Sequence, residues 1–543
     1  MNPISMKGGD YLETSGILHK KWYLYLTEFF AGVSVMAVEL GASRLLAPYF
    51  SSSQIVWTII IGTIMIAMAL GNLWGGKTAD KDPDPARLYR RILVAALWIA
   101  AIPVAGKYVI LGISALLVFT VNTHFLIVAA FASCMVIFVF PLFLLGTVTP
   151  SLVKYAVGSL SDSGSTVGRM GACNTVGSIL GTFLPTFVTI PAVGTAATFL
   201  IFSGVLLLIG LAYFISEKKL TWRGILILLL FLACAFFGRS NSFAFWDENL
   251  TYEGESVYNY LQVKEDDRRV ILSTNVLFGV QSMMMKDGGL TGMYYDYALA
   301  APVMAGKRAP RVLVLGNGTG TFARQCRACF PEARVEGVEI DGRITRLAAE
   351  YFDLPAEVIV TEYDGRAYLQ AIEGEYDVIM VDAYQDITIP FQMSTVEFFT
   401  QVREHLAEGG VMVVNMNMHS DGENSINVWL ADTICSVFSN VCEVEVPYST
   451  NKELFAAVGG KALPERLQDG LADLSDAPLC ALLRQAAEQL TPYAPGERLL
   501  TDDRAPVEML GMSVIDTLIR DEVQVYKTIY ETEGLSGLLE RLR

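Results

Sequence analysis

The spacing of apolar and polar positions changes character once along the chain. Residues 1–240 carry long, almost unbroken apolar runs, whereas residues 250–543 carry short ones that alternate with polar positions. About 20 consecutive apolar residues are enough to cross a bilayer as a helix. Such runs lie near 23–48, 55–75, 92–118, 126–149, 173–193, 196–216 and 222–238, and they predict a transmembrane bundle of seven or eight spans over residues 1–240. Gly71 and Gly75, like Gly177 and Gly181, are spaced four apart, as suits helices in close approach. The first run is long and lacks a small-residue cleavage site, so it reads as a span and not as a removable leader.

From residue 250 the period shortens. "SVYNYLQVKEDDRRVILSTN" and "VLFGVQSMMM" predict a small antiparallel β region over 250–305. Over 306–543, "RVLVLGNGTGTFARQCRACF" reads as strand, glycine turn and helix. "ARVEGVEID", "EVIVTEYDGRAYLQ", "EYDVIMVDAYQDITIP" and "GGVMVVNM" supply four more strands. Strands alternating with helices imply a parallel sheet covered on its faces. The fold class expected is therefore multi-domain: a helical transmembrane bundle, an antiparallel β region and an α/β Rossmann-like domain of the methyltransferase type.

Charge sharpens the division. Residues 1–240 contain 16 Lys+Arg against 9 Asp+Glu, and residues 241–543 contain 24 against 47, for an overall net charge of −16. The acidic half disfavours nucleic acid as a partner and suits a cationic one. Most basic residues of the first half fall at Lys20–Lys21, Lys77–Arg91, Lys154–Arg169 and Lys218–Arg223, which puts those segments and the N-terminus in the cytoplasm. Seven spans would then leave the acidic half outside. The expectation is an inner-membrane, multi-pass protein with the acidic half in the cytoplasm, and an extra or misread span within the bundle. The eight cysteines show no disulfide framework, and the lone Cys326-x-x-Cys329 pair and four scattered histidines offer no zinc spacing, so no metal is expected.

Candidate chemistry gathers at strand ends. Gly316 and Gly318 open the glycine turn, Glu339 closes the second strand and Asp364 follows the third. An acid at the second strand end accepts hydrogen bonds from ribose hydroxyls, and the next is placed for an adenine amino group. Each acid singly could equally cap a helix. Asp382 ends the fourth strand at a polar loop. Within the first span, Glu39 is an intramembrane acid, either a functional group or the partner of Arg44 in a helix-pinning pair.

The runs "VLVLGNGTG", "VEGVEID", "YDGRAYL" and "YDVIMVDAYQDITIP" together resemble the spermidine synthases, the polyamine aminopropyltransferases, over about residues 255–460. "ELGASRLLAPYF", "ALGNLWGGKTAD", "NTVGSILGTFLPTF" and the closing "LTDDRAPVE" are similar to bacterial forms fused to a membrane domain. The resemblance implies a transferase that moves a 3-aminopropyl group from decarboxylated S-adenosylmethionine to an amine and releases methylthioadenosine. It assigns Asp382 as catalytic base. Gln281, Tyr294, Gly316, Gly318, Thr319, Glu339, Asp364 and Gly365 are assigned to the adenosyl donor; Asp296, Gln385 and Asp386 are candidate substrate-binding residues, Asp296 or Asp386 as a replacement for the acid absent at Thr319. The loop after Asp382, ending at Pro390, is expected to act as a flap.

The sequence departs from the family at two places. Thr319 stands where an acid normally binds the donor's ammonium, and Gln385 stands where a second acid follows the base. Alternatives are transfer of a 3-amino-3-carboxypropyl group from intact S-adenosylmethionine or its cyclisation, a methyltransferase, and a transporter or sensor with a nucleoside- or polyamine-binding domain. Expected partners are a small amine or adenosyl substrate and the lipid bilayer, and a homo-oligomer is compatible with the sequence.

Overall fold

The structure is a computed structural model that describes residues 17, 21–50, 53–118, 120–121, 124–157, 163–238, 242–276, 280–383, 389–417, 425–511, 514, 524–525, 528–529 and 532–534. The chain forms two compact units, Met1–Trp246 and Asp247–Arg543.

The first unit is helical throughout. Its elements are α1 (Lys21–Phe50), α2 (Gln54–Lys81), α3 (Pro85–Val118), α4 (Phe125–Gly146), α5 (Val148–Ala156), α6 (Ser163–Leu184), α7 (Ile190–Ser216) and α8 (Trp222–Phe237). Among the described residues, five helical stretches are long and apolar enough to cross a membrane. The longest of them, Ser163–Ser216, has 54 residues, about 80 Å at 1.5 Å per residue and far more than one crossing. It breaks within α7 at Gly194, whose φ of 81° leaves the helical region, so the stretch is two helices and not one. Among the described residues, only α3 and α4 occupy 85–146, so no extra span lies there to change the parity. The last predicted span is the 16-residue α8. The Tyr49 hydroxyl donates to Phe243 O, which puts the chain after α8 beside the C-terminal end of α1.

The paired glycines lie in two helix seams. A side chain at Gly177 or Gly181 would run into the backbone of Phe29 or Val33 where α6 meets α1, and one at Gly71 into Phe143 O where α2 meets α4. Backbones this close gain dispersion along the whole contact, which is what holds helices together in an apolar solvent. The fully buried acid of the bundle is Glu28. Thr149 and Asn174 both donate to its Oε1, at 2.6 and 3.0 Å, while Glu39 is half-buried.

The second unit begins with an antiparallel meander of β1 (Leu250–Glu255), β2 (Tyr260–Glu265), β3 (Arg269–Ser273) and β4 (Ser282–Met285). Its apolar face, Leu261, Val263, Val270, Leu272 and Met284, packs on Ile344, Leu347 and Phe352. Two short helices follow, α9 (Tyr294–Ala298) and α10 (Ala300–Ala305). Then come β5 (Arg311–Leu315), α11 (Thr321–Cys329), β6 (Arg334–Glu339), α12 (Gly342–Tyr351), β7 (Ile359–Glu362), α13 (Gly365–Ala371), β8 (Tyr376–Val381), α14 (Val396–Glu404) and β9 (Leu406–Met416). Beyond the five parallel strands expected lie α15 (Ile426–Val437), β10 (Asn440–Glu445), β11 (Lys452–Ala457), α16 (Leu463–Gly470), α17 (Ala477–Gln489) and β12 (Thr491–Pro492). The sheet order is β12-β10-β11-β9-β8-β5-β6-β7, with β5 to β9 parallel and the rest antiparallel. All eight cysteines are free.

The order reverses between β5 and β8, and in an open α/β sheet that crevice is where ligands bind. Register sharpens the point. Leu315 pairs with Val338 and Val381, Val381 pairs with Val414, and Asn415 pairs with Glu453. One step beyond the last apolar row, Glu339, Gly316, Asp382, Asn415 and Glu453 therefore stand on one level across five strands.

The seams make a stability prediction. Gly181→Leu forces the α1–α6 contact apart and should cost about 1–3 kcal/mol. Gly62→Ala, where the added carbon meets nothing within 4 Å, should be neutral. Thermal unfolding in detergent compares them, and equal midpoints would show that the seam does not depend on glycine.

Candidate active site

The site is built from the polar level and the turns that follow it. Gly316 has φ +85°, and a side chain there would strike Asp382 O and Ala383. Its missing side chain thus makes room for the neighbouring strand end, so β5 and β8 stay paired up to the turn, where Asp382 N donates to Leu315 O at 2.9 Å. Gly318 has φ +53°, and its N–H donates to Glu339 Oε2 at 2.8 Å. Asp341 N donates to the other carboxylate oxygen at 3.0 Å. Glu339 is thereby fixed between two backbone donors. Burial still outweighs those donors and holds its carboxyl up at about 7, with Asp341 adding like charge.

Asp382 is held from both sides. The Tyr294 hydroxyl, from α9, donates to its Oδ2 at 2.7 Å, and Asn415 Nδ2, from β9, donates to its Oδ1 at 2.8 Å. Asn451 Nδ2 in turn donates to Asn415 Oδ1 at 2.8 Å, which fixes the amide's orientation. Withdrawal from water raises Asp382 to about 7 despite the two donors, and the charge of Glu339 adds to the rise. A base with that value is poised to take a proton near neutral pH.

One cleft gathers most of the expected residues. Gln281, Gly316, Gly318, Glu339, Asp364, Gly365 and Asp382 line it, with Asn317, Tyr363, Pro390, Gln392 and Met393. Asp364 also caps α13, accepting from Ala367 N at 2.9 Å. Arg366 anchors one wall, bonding Gln392 O and making a two-pronged pair with Asp502 of the "LTDDRAPVE" motif, at 2.7 and 2.6 Å.

Other expected residues lie elsewhere. Tyr294 reaches the site through its bond to Asp382. Asp296 is buried and accepts from Thr291 Oγ1, Gly292 N and Gln325 Nε2 at 3.0, 2.6 and 2.6 Å. It is engaged in shaping the turn before α9. Thr319 is buried with its hydroxyl unpartnered among the described residues, and its N–H donates to Ser282 Oγ. Gln385 and Asp386 lie outside the described residues, as does most of the expected flap. Sequence reasoning missed Asn415, Asn451 and Glu453. Asn415 lies one residue past the last valine of β9, the position relative to the apolar run that marked Asp382 on β8.

A methyltransferase-like α/β fold whose switch-point cleft holds strand-end acids beside a carboxylate titrating near neutrality defines a class, the adenosyl-handling transferases. A family profile described as the spermine/spermidine synthase domain matches residues 293–460. Over 349 residues the chain is 52% identical to the probable polyamine aminopropyl transferase of Bifidobacterium longum (strain NCC 2705), covering 61% of this chain and 78% of that protein. It is 25% identical over 303 residues to the polyamine aminopropyltransferase of Vibrio vulnificus (strain CMCP6), covering 52% and 98%. Among solved structures, a probable spermidine synthase from Corynebacterium glutamicum ATCC 13032 aligns with a TM-score of 0.36 at 21% identity, covering 45% of this chain and 96% of that one. The chain belongs to the spermine/spermidine synthase family and is an enzyme of the polyamine aminopropyltransferase type.

The raised carboxyls give a pH signature. Glu339 and Asp382 keep their protons to about 7 in the folded chain, against ordinary values of 4.5 and 3.8. Across that window the folded chain binds more protons than the unfolded one, so the stability of ligand-free protein should fall as pH rises from about 4 to about 7 and then level. Asp382→Asn removes one share of this loss. It should stabilise the protein at about pH 8 and leave it unchanged at about pH 3. An equal gain at both, measured by denaturation, would mean that Asp382 holds no extra proton.

Proposed function

We propose that the second unit transfers the 3-aminopropyl group of decarboxylated S-adenosylmethionine to an amine, with Asp382 as base. The observation that carries the reading is the position of Asp382 on the polar level, between the glycine turn at Gly316 and the amide of Asn415. Glu339, Asp364, Gly316, Gly318, Gly365 and Gln281 hold the nucleoside, the acid at the end of β6 accepting from the ribose. The attacking amine arrives as an ammonium and gives a proton to Asp382. Its nitrogen lone pair then forms a bond to the propyl carbon beside sulfur. The carbon–sulfur bond breaks, its electron pair neutralises the sulfonium, and methylthioadenosine leaves. Tyr294 and Asn415 aim the carboxylate and supply no proton to the reaction. This positioning is what converts a slow bimolecular displacement into an oriented one.

We also propose that the first unit is embedded in the inner membrane. Donor supply places the catalytic unit at the cytoplasmic face. The contact of Tyr49 with Phe243, at the end of α1 remote from Tyr23, favours the opposite face. A C-terminal epitope tag probed in intact and in permeabilised spheroplasts separates the two readings.

The base is tested by Asp382→Asn. Turnover should fall by roughly 10²–10⁴-fold, while methylthioadenosine still binds, because the amide keeps the shape and cannot accept the proton. Near wild-type formation of methylthioadenosine by the variant removes Asp382 from the mechanism.

A further inference from the structure

The helical unit encloses a carboxylate that the reaction does not use. Glu28 has no solvent-accessible surface. It lies seven residues past Lys21, where α1 begins, about 10 Å along the helix axis. Thr149 of α5 and Asn174 of α6 both donate to its Oε1, at 2.6 and 3.0 Å, while Oε2 has no partner among the described residues. A carboxylate withdrawn from water with no counter-charge is costly, the more so in an apolar bundle. Asp80, Asp82 and Asp84 of the same unit pair with Lys154, Arg87 and Arg90. Among the described residues no Lys or Arg pairs with Glu28, so its counter-charge comes from outside the chain.

The surroundings narrow the choice of cation. A divalent metal takes several carboxylate, imidazole or thiolate ligands, and among the described residues no three such side chains come together. Thr149 and Asn174 each spend a donor on Oε1, and among the described residues neither side-chain oxygen receives a hydrogen bond in return. Oε2, the Thr149 hydroxyl oxygen and Asn174 Oδ1 thus set three acceptors around one carboxylate. A proton would cancel the charge and leave the other two acceptors unanswered. A primary ammonium presents three N–H bonds. An alkyl chain attached to it suits the apolar packing beside the site, where Phe29 and Phe30 meet Val33, Ala37 and Phe202. Thr149 and Asn174 are half-buried, so the carboxylate lies beneath the surface where α5 meets α6.

We propose that Glu28, with Thr149 and Asn174, binds the ammonium end of a primary alkylamine inside the helical unit. The ligand class is the one on which the second unit is proposed to act, and to that extent the inference rests on that reading. The site itself does not, since no residue of the second unit belongs to it. Glu28 holds the ammonium by charge, and the two neighbouring oxygens fix the direction of its N–H bonds. A quaternary ammonium, which has no N–H, gains only the charge. The first unit then takes up amine as well as sitting in a membrane.

The test is equilibrium binding of radiolabelled butylamine to the full-length protein in lipid nanodiscs, with empty nanodiscs as the blank. Glu28→Gln removes the charge and keeps a carbonyl for Thr149 and Asn174, so its thermal midpoint should be no lower than that of wild type. It should lose one equivalent of bound amine per chain, the affinity at that site falling by about 10–100-fold, the loss of a charged hydrogen bond. Asp382→Asn should keep that equivalent, which separates it from amine held in the catalytic cleft. On wild type, sodium and tetramethylammonium should compete for the Glu28 equivalent at least about 10-fold less well than unlabelled butylamine, a comparison that needs no variant to fold. Unchanged amine binding by Glu28→Gln, equal competition by sodium or tetramethylammonium, or loss of the equivalent in Asp382→Asn overturns the proposal. Failure of the proposed reaction would show separately, as near wild-type formation of methylthioadenosine by Asp382→Asn with the Glu28 equivalent still bound.

Discussion

The in-register pairing of β6, β5, β8, β9 and β11 is the constraint on which the site depends. Neighbouring strands are hydrogen-bonded at a fixed spacing, so a residue one step past the apolar row on any strand meets its counterparts on the others. Val338, Leu315, Val381, Val414 and Leu454 make that row, and each is buried. A slip of one residue in β8 would turn Asp382 to the other face and bring Val381 to the crevice. The positions of Asp382 and Glu339 are thus set by the hydrophobic fit of the row beneath them. Gly316 completes the arrangement, since a side chain there would push β5 and β8 apart where the strand order reverses.

The same level concentrates negative charge where water is scarce. Glu339, Asp382 and Glu453 are three carboxyls on five adjacent strands, and each is pushed above its ordinary range by burial. The donors are shared unequally. Glu339 has two backbone N–H groups, Asp382 has a phenol and an amide, and Glu453 has none among the described residues. That gradient runs across the sheet from β6 to β11.

Much of this was legible in the sequence because it is local. The glycine turn, the acids closing β6 and β8 and the alternation of strand and helix all lie in contiguous stretches. The helix seams were legible for the same reason, from the four-residue spacing of Gly71–Gly75 and Gly177–Gly181. What escaped depends on distant pairing. Asn415 lies just past an apolar run without any motif, and Glu453 sits in "NKELFAAV", a strand identified only by its antiparallel partners β9 and β10. In the bundle, Glu39 drew notice for lying mid-span, yet Glu28 is the acid that the helices enclose, and its partners come from α5 and α6.

The pair between Arg366 and Asp502 joins residues 136 positions apart. Asp502 also accepts from Thr395 Oγ1 at 2.7 Å, so one carboxylate binds the helix after β7 to the N-terminus of α14. A chain emerging from the ribosome folds its earlier parts first. The glycine turn and the acids closing β6 and β8 would be complete long before Asp502 is synthesised, while the wall carrying Gln392 and Met393 would still lack its clasp. Closure of the cleft wall therefore waits on a residue made well after the apolar bundle, and a nascent chain forms its glycine turn before it can clasp the wall beside it.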